Sequence, residues 1–239
     1  MLEKFTLIAN CTEEKKELLA SELQGIGATN ISLMYKAVLC ETDERGFYNI
    51  HLHTRLASRI MTVVKECSGS SSEIIYNQSQ KIPWPEWLDP SKTISVEGIQ
   101  ADKDKATQLS NNEIAKRVRQ GLNRAFEKRQ LDPPTVDIKE PHIKIVGWVR
   151  NQRCMISIDS SGMALHKRGY KLPGHPAPIK ETLAAAILKA VHYSGERALF
   201  DPMCGSGTLV IEGAMIAINK TSQIHRKKDQ FAFEHLKIF

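Results

Sequence analysis

Alternating apolar and polar positions predict short strands around single helices in the first part of the chain. Strands are predicted at residues 5–9, 31–35, 37–41 and 59–67, with helices at residues 13–23 and 46–54. Gly25 and Gly27 are expected to end the first helix, because glycine readily adopts the conformation found at helix ends. Residues 69–72 have the composition of a turn, and the prolines in residues 83–87 argue against a regular helix interior.

One amphipathic helix and one strand pair dominate the pattern from residue 93 to residue 160. A strand at residues 93–99 precedes Ser110-Asn111-Asn112-Glu113, which has the spacing of a helix-start capping box. The helix is predicted to run to about residue 129, to be stopped by Pro133-Pro134, and to bury Ile114, Val118, Leu122 and Phe126. Residues 142–149 and 153–160 are predicted to pair around an Asn151-Gln152 turn. Because the connections leave little room for parallel crossovers, we expect an α+β fold for residues 1–160.

The pattern changes at residues 172–178, where three prolines predict an extended linker. A helix is then expected at residues 179–192, ended by Gly195, with Ile179, Leu183, Ile187 and Val191 buried. An apolar strand at residues 198–200, a glycine-containing loop at residues 201–208 and a helix at residues 209–219 follow. This order is typical of the first unit of a doubly wound nucleotide-binding sheet.

Composition indicates a globular chain and excludes several classes of protein. With 41% hydrophobic and 25% charged residues, the 239-residue chain is neither disordered nor collagen-like. Its apolar stretches are shorter than the ~20 residues of a membrane helix, and its first residues lack a secretory pattern, so we expect a soluble, cytoplasmic protein. The five cysteines and the histidines His166, His175 and His192 lack metal-ligand spacing, which predicts no metal site.

Positive charge is concentrated in one region of the sequence. Residues 91–175 hold 16 Lys+Arg against 9 Asp+Glu, whereas the remainder of the chain holds 17 against 18. Such a region favours a polyanionic partner, with a solvated basic surface as the alternative. Lys167 and Arg168 beside Gly169 form either a phosphate contact or a solvated hinge. The other candidate phosphate contacts lie on one face of the predicted helix and are Lys116, Arg117, Arg124 and Lys128.

The glycine loop at residues 201–208 is the most informative local feature. A Walker loop is excluded because Gly207 is followed by Thr208 rather than lysine, and the dinucleotide fingerprint fails because position 210 is valine. Asp201 would repel a pyrophosphate but would suit a ligand with a cationic head, such as S-adenosyl-L-methionine (SAM), whose carboxylate could accept from helix-start amides. On spacing alone, a methyl-donor site and a tight structural turn both remain open.

Three stretches in the second half resemble family motifs in matching order. Asp201-Pro202-Met203-Cys204-Gly205-Ser206-Gly207-Thr208 resembles the first methyl-donor motif of the class I RNA guanine-N2 methyltransferases that carry a THUMP domain. Residues 177–188 are similar to the helix bordering the donor pocket in that family, and Leu165-His166-Lys167-Arg168-Gly169-Tyr170 is similar to its domain boundary. Residues 56–59, 82–84 and 110–150 look like its ferredoxin-like and THUMP modules. The resemblance covers nearly the whole chain and is closest to bacterial members acting on 23S ribosomal RNA.

The resemblance implies α+β ferredoxin-like and THUMP modules, followed by the start of an α/β Rossmann-like class I methyltransferase domain. Residues 1–44 would form the ferredoxin-like module, open to completion by later strands, and residues 45–160 the RNA-binding THUMP domain. Residues 161–178 would be a linker, and residues 179–239 the first part of the methyltransferase domain. The implied cofactor is SAM and the implied partner is 23S ribosomal RNA. The implied SAM-binding residues are Pro178, Lys180, Glu181, Thr182, Asp201, Pro202, Met203, Cys204, Gly205, Ser206, Gly207 and Thr208.

The catalytic loop of that family, Asn/Asp-Pro-Pro-aromatic, does not occur downstream of Asp201. Asp132-Pro133-Pro134-Thr135 lacks the aromatic residue, so we interpret it as a helix stop. Neither Asp229 nor Glu234 is identifiable as a ribose-binding acid, and Glu212 is expected to brace the loop.

A complete donor-binding sheet needs several units of ~30 residues, more than follow Pro178, so we expect the amino-terminal part of a longer enzyme. We expect this part to bind RNA without transferring a methyl group by itself. The alternatives are an RNA-binding module without catalysis and a DNA amino-methyltransferase that shares the donor loop.

Overall fold

The computed structural model describes residues 4–101, 109–171 and 178–238. Their contacts divide the chain into two compact units, each discontinuous in sequence. The split unit consists of the described residues within Leu2–Ile60 and Met163–Lys228, and the inserted unit of those within Met61–Gly162 and Asp229–Phe239. Residues 172–177 of the predicted linker, including His175, lie outside the described residues.

An antiparallel sheet and two helices form the first half of the split unit. Its strands β1 (Phe5–Asn10), β2 (Thr29–Met34) and β3 (Ala37–Thr42) are ordered β2-β3-β1, with Leu7 opposite Cys40. Helix α1 (Lys16–Ile26) follows a short 3-10 helix at Glu13–Lys15, and α2 (Glu44–His53) packs against α1 and β3. Gly27, with a φ of 105°, ends α1 as predicted, whereas Gly25 lies inside the helix. The fully buried core side chains here include Leu7, Leu19, Leu23, Phe47 and Ile50.

Helices α6 (Glu181–Ala190) and α7 (Thr208–Ala217) pack together in the second half of the split unit. The predicted buried face of α6 is wrong, because Leu183, Ile187 and Val191 are 46%, 42% and 58% exposed. The helix instead buries Ala184, Ala185 and Ala186, together with Leu188. Small side chains let α7 approach closely, and Gly213 of α7 leaves room for Leu199, whose Cδ2 would clash with a Cβ at that position.

The ends of α6 and α7 also differ from the sequence prediction. His192, with a φ of 53°, ends α6 in place of Gly195, and Tyr193 N–H closes the turn on Leu188 O at 2.9 Å. Residues 198–200 form no strand, because among the described residues no other segment pairs with them. The glycine loop therefore enters α7 from irregular backbone.

The inserted unit is built on a mixed sheet of four strands. In space, β4 (Arg59–Ser68) pairs with β7 (Arg153–Asp159), β7 with β6 (Ile143–Arg150), and β6 with β5 (Ile94–Gln100). The first two pairs are antiparallel, and Asn151 and Gln152 form the predicted turn with φ values of 50° and 57°. β5 and β6 are parallel, which corrects the expectation that parallel crossovers would not fit. The crossover contains the 17-residue helix α5 (Asn111–Glu127).

Helix α5 packs on this sheet, α3 and α4 pack on α5, and the sequence predicted α5 alone. Ser110 Oγ accepts from Glu113 N–H at 3.1 Å, so α5 begins where the serine motif predicts. Helix α3 (Ser72–Ser79), capped by Ser71, was missed, and α4 (Trp84–Trp87) is a single turn that carries Pro85 near its start. The Trp84 ring is fully buried, and its Nε1–H donates to Ser79 O at 2.9 Å.

The segment after α5 is not a proline-stopped helix. The helix is ended by Gln130 (φ 57°), and Leu131 N–H donates to Phe126 O at 3.1 Å, before either proline is reached. Ile94 N–H donates to Thr135 O at 2.9 Å, so the Asp-Pro-Pro-Thr stretch leads into a short pairing with β5. Among the described residues no helix is both long and apolar enough to cross a membrane.

Candidate functional site

The glycine loop turns twice through left-handed backbone before α7 begins. Gly205 and Gly207 have φ values of 52° and 73°, which glycine adopts without the strain that other residues incur. Gly207 N–H donates to Cys204 O at 2.7 Å, and Met203 N–H to Asp201 Oδ1 at 3.2 Å. The loop therefore holds its shape by its own hydrogen bonds.

The same loop is open to ligand on its outer side. Residues 202–205 are exposed, Met203 by 90%, and a Cβ on Gly205 would come no closer than 4.0 Å to Met203 O. Ser206 Oγ lies 3.0 Å from Thr208 Oγ1 at the start of α7, where the first-turn amides lack helical acceptors. The loop thus combines a half-buried carboxylate, Asp201, with amides and hydroxyls that can bind a carboxylate.

The start of α6 places two of its predicted ligand-binding side chains in internal contacts. Glu181 is 5% exposed and lies 3.3 Å from Lys171 Nζ, and Thr182 is 3% exposed and accepts from Lys15 Nζ at 3.3 Å. Pro178 and Lys180 are exposed. Since α6 packs against α7, the structure brings the helix start and the glycine loop into the same unit.

A buried charge network lies behind the loop, around Glu212 of α7. Its Oε1 accepts from Tyr170 OH at 2.9 Å and lies 3.5 Å from Arg168 Nε, and its Oε2 forms an ion pair with Arg55 Nη1 at 3.6 Å. Burial, followed by the charge of Glu212, raises the pKa of Tyr170, which keeps the hydroxyl protonated as donor. Burial lowers the pKa of Arg55, and Glu212 opposes that shift. Glu212 therefore braces Arg55 and residues 168–170, rather than the loop itself.

This network corrects the prediction that Arg168 contacts phosphate. Arg168 is 1% exposed, and besides Glu212 its guanidinium donates to the carbonyl oxygens of Leu165 and of Arg55, the latter at 2.7 Å. A side chain so enclosed cannot reach RNA without breaking these bonds. Lys167 is exposed, and burial lowers the pKa of the neighbouring His166.

The other predicted phosphate contacts form a basic face on α5, in the inserted unit. Lys116, Arg124 and Lys128 are exposed and Arg117 is half-buried. Arg117 Nε lies 2.7 Å from Glu113 Oε1, and Arg124 Nη1 lies 3.1 Å from Glu127 Oε2. Exposed pairs of this kind are worth about 0–1 kcal/mol, so a phosphate could replace the glutamates at little cost.

The remaining candidates are Asp229 and Glu234, in the last segment of the inserted unit, and Cys204, in the glycine loop. Asp229 adopts a left-handed φ of 64°, and Glu234 Oε2 accepts from Phe231 N–H at 3.1 Å at a short 3-10 helix, Ala232–His235. Cys204 is exposed in the loop. Among the described residues no three His, Cys, Asp or Glu side chains are grouped as a metal site.

Sequence reasoning missed Arg55, Tyr170 and Lys15 as parts of this region. Tyr170 and Arg168 lie 42 and 44 positions from Glu212, and Lys15 lies 167 positions from Thr182. No periodicity or motif spacing links residues so far apart, and only the fold brings them together.

Family models match three consecutive parts of the chain. Residues 6–61 match the RlmL ferredoxin-like domain, residues 70–159 the THUMP domain, and residues 168–238 the RMKL-like methyltransferase domain. The matches occur in the order that the resemblance implied.

Solved structures of bacterial methylases are similar to the chain over nearly its whole length. A protein described as a predicted N6-adenine-specific DNA methylase from Listeria monocytogenes is 27% identical over 97% of this chain and 59% of its own, with a TM-score of 0.82. A possible methylase from Clostridium difficile is 29% identical over 97% and 60%, also with a TM-score of 0.82. SMU.472, described as a candidate methyltransferase complexed with SAH, is 26% identical over 98% and 60%, with a TM-score of 0.82. The chain therefore spans about 60% of the length of these structures.

Proposed function

Since the chain belongs to the THUMP-containing, RlmL-like methyltransferases, we propose that it takes part in SAM-dependent methylation of guanine N2 in 23S ribosomal RNA. In this proposal the inserted unit binds RNA, and the split unit supplies part of the methyl-donor pocket. The observation that carries it is the open glycine loop before α7, which lies in the part of the chain matched by the methyltransferase model.

SAM would be held by the residues Asp201–Thr208, with Pro178 and Lys180 at the start of α6. SAM supplies an activated methyl group on a sulfonium. The carboxylate of Asp201 suits the ammonium of the donor, while the amides at the start of α7 suit its carboxylate. SMU.472, described with SAH bound, supports this choice of cofactor. Glu181 and Thr182 would act by fixing the helix start through Lys171 and Lys15.

Calorimetric titration with SAH tests the donor site separately from RNA binding. Asp201→Asn should weaken SAH binding, while Glu196→Gln, an exposed change in the same unit, should leave it unchanged. Equal affinity in the two variants would contradict the role given to Asp201.

Transfer of the methyl group requires a group that orients the guanine amine, and no Asn/Asp-Pro-Pro-aromatic sequence follows Asp201 in these 239 residues. We therefore propose that this part of the protein binds RNA but transfers no methyl group alone. Incubation with undermethylated ribosomal RNA and radiolabelled SAM tests this. Turnover above background would overturn the proposal.

RNA binding is assigned to the α5 face within the inserted unit. Replacing Lys116 and Lys128 by glutamine should weaken binding to transcribed 23S RNA and reduce the slope of log K against log salt by roughly 0.7–0.9 for each phosphate that the variant no longer neutralises. Lys36→Gln/Lys228→Gln removes two exposed charges from the split unit and serves as the matched control. An unchanged salt slope in the α5 variant would contradict the assignment.

A second candidate function is amino-methylation of DNA bases, which the description of the Listeria monocytogenes structure favours. Competition between duplex DNA and folded 23S RNA for the protein discriminates the two. Preference for duplex DNA would favour the second candidate. We propose the cytoplasm as the location, which cell fractionation would test.

A further inference from the structure

Two cysteines face each other across neighbouring strands of the inserted unit. Cys67 of β4 is the register partner of Cys154 of β7, in an antiparallel pair. Directly opposed residues in such a pair have Cα atoms about 4.5–5.5 Å apart, which lies within the roughly 4.4–6.8 Å range that a disulfide spans. The register of the two strands therefore places the two cysteines within the range of a disulfide.

The two side chains already interact. The Cys67 thiol donates to Cys154 O at 3.5 Å, so its sulfur lies against the residue that carries the second thiol. This places the thiols on one face of the sheet at adjacent positions, which distinguishes them from the other three cysteines, of which Cys11 and Cys40 are buried and Cys204 is exposed.

The environments of the two thiols are unequal. Cys67 is partly exposed and Cys154 is buried. The interaction with Cys154 lowers the pKa of Cys67 and the charge of Lys65 lowers it further, whereas burial and the charge of Glu66 oppose that shift. The interaction with Cys67, followed by burial, raises the pKa of Cys154. A partly exposed thiol that ionises readily, beside a second thiol, is the arrangement of a reactive cysteine with a resolving partner.

We propose that Cys67 and Cys154 form a peroxide-sensitive dithiol that closes to a disulfide across β4 and β7. The Cys67 thiolate attacks one peroxide oxygen, the O–O bond breaks, and the released hydroxide takes up a proton to become water. Cys67 is then a sulfenic acid. Cys154 sulfur attacks the Cys67 sulfur, the S–O bond breaks, and the hydroxide leaves with the Cys154 proton as a second water. Two thiols are oxidised and one peroxide is reduced to two waters.

The bond would fix the end of β4 beside the turn between β6 and β7. Gly69 N–H donates to Gln152 O at 2.6 Å, and Ser70 Oγ to Gln152 Oε1 at 3.1 Å, so the cross-link extends a contact that leads directly into α3. Because it would close a long loop in the unfolded chain, oxidation should raise the Tm of the inserted unit by at least about 5 °C. This inference does not depend on the proposed function.

Peptide mapping tests the proposal directly. The full chain is treated with hydrogen peroxide, alkylated and digested with trypsin without reductant. We expect the peptide of residues 66–81 to be linked to the peptide of residues 154–167. The mass of the linked product should be two hydrogens less than the summed masses of the two free peptides. Cys204→Ser, which removes an exposed thiol, should give the same link, and Cys67→Ser should abolish it.

Two further measurements separate a reactive pair from a merely adjacent one. Iodoacetamide should modify Cys67 more than about threefold faster at neutral pH than Cys204, although Cys204 is the more exposed thiol. In Cys154→Ser, or in Cys154→Ala if the serine variant does not fold, peroxide should leave a sulfenic acid on Cys67 that dimedone traps. Folded wild-type protein that forms no link between residues 67 and 154, or alkylation of Cys67 no faster than that of Cys204, would overturn the proposal.

Discussion

Replacing Glu212 by glutamine probes the buried charge network behind the glycine loop. Glu212 is fully buried, accepts from Tyr170 OH at 2.9 Å, and lies 3.5 Å from Arg168 Nε and 3.6 Å from Arg55 Nη1. The substitution keeps the shape of the side chain but removes the charge that the two guanidinium groups share. It leaves positive charge in a buried region without its carboxylate.

The expected loss of stability follows from these contacts. Removing one partner of a buried ion pair costs about 3–5 kcal/mol. Arg168 keeps its bonds to the carbonyl oxygens of Leu165 and Arg55, so the loss should lie near the lower end, about 3 kcal/mol. At about 2–4 °C per kcal/mol for a chain of this size, Tm should fall by roughly 6–12 °C. Tyr170→Phe removes one hydrogen bond to a charged acceptor and should cost about 1.5 kcal/mol.

Thermal unfolding followed by circular dichroism measures both variants. Glu196→Gln makes the same chemical change at an exposed position of the split unit and should alter stability by less than about 0.5 kcal/mol. If Glu212→Gln unfolds within about 1 °C of the unaltered protein, the network does not anchor residues 168–170 and the reasoning is refuted.

Two further predictions test the units separately. Burial lowers the pKa of His51 to about 4, so the unfolded chain binds a proton below about 6.5 that the folded chain binds only near 4. The free energy of unfolding, measured by urea titration, should therefore decrease by about 3 kcal/mol as the pH falls through this range. His51→Asn should make the free energy of unfolding less dependent on pH. Phe233, whose ring is stacked 4.9 Å from that of Phe231, is 8% exposed, so Phe233→Ala should cost about 3–4 kcal/mol. This loss of stability should appear as faster hydrogen exchange within residues 61–162 of the variant. Exchange at the rate of the unaltered protein would contradict the packing of residues 229–238 in the inserted unit.

Local signals predicted the elements that depend on neighbouring residues. The serine cap of α5 and its four-residue apolar spacing lie within one helix, and the turn at Asn151 and Gln152 lies between two strands that pair directly. These features need no information from distant parts of the chain. The order of the ferredoxin-like, THUMP and methyltransferase matches likewise follows from contiguous motifs.

The buried face of α6 could not be predicted in the same way. The helix Glu-Thr-Leu-Ala-Ala-Ala-Ile-Leu-Lys-Ala is apolar on two sides, and periodicity selected the larger side chains Leu183 and Ile187. The structure buries the alanines, because α7 approaches that side closely. Which side is covered depends on the neighbouring helix and not on the α6 sequence.

The same limit explains the error at Arg168. A basic pair next to a glycine has the composition of an exposed phosphate contact, and Lys167 does lie at the surface. The partners that bury Arg168 are Glu212 and the Arg55 carbonyl, which are distant in sequence. Tertiary contacts bury Arg168 and leave Lys167 exposed, a difference that the local sequence does not reveal.

The alternation of the two units along the chain has a consequence for synthesis on the ribosome. The split unit lacks its second half until residues Met163–Lys228 have been made, and the inserted unit receives its last segment, starting at Asp229, only after that. Neither unit can therefore complete its core until its last segment has been synthesised. Because both last segments lie near the end of these 239 residues, the two cores are completed at nearly the same stage of translation. Nascent chains paused near residue 160 should expose α1, α2 and the β1–β3 sheet in an incomplete state, which makes them substrates for chaperones that bind apolar surface.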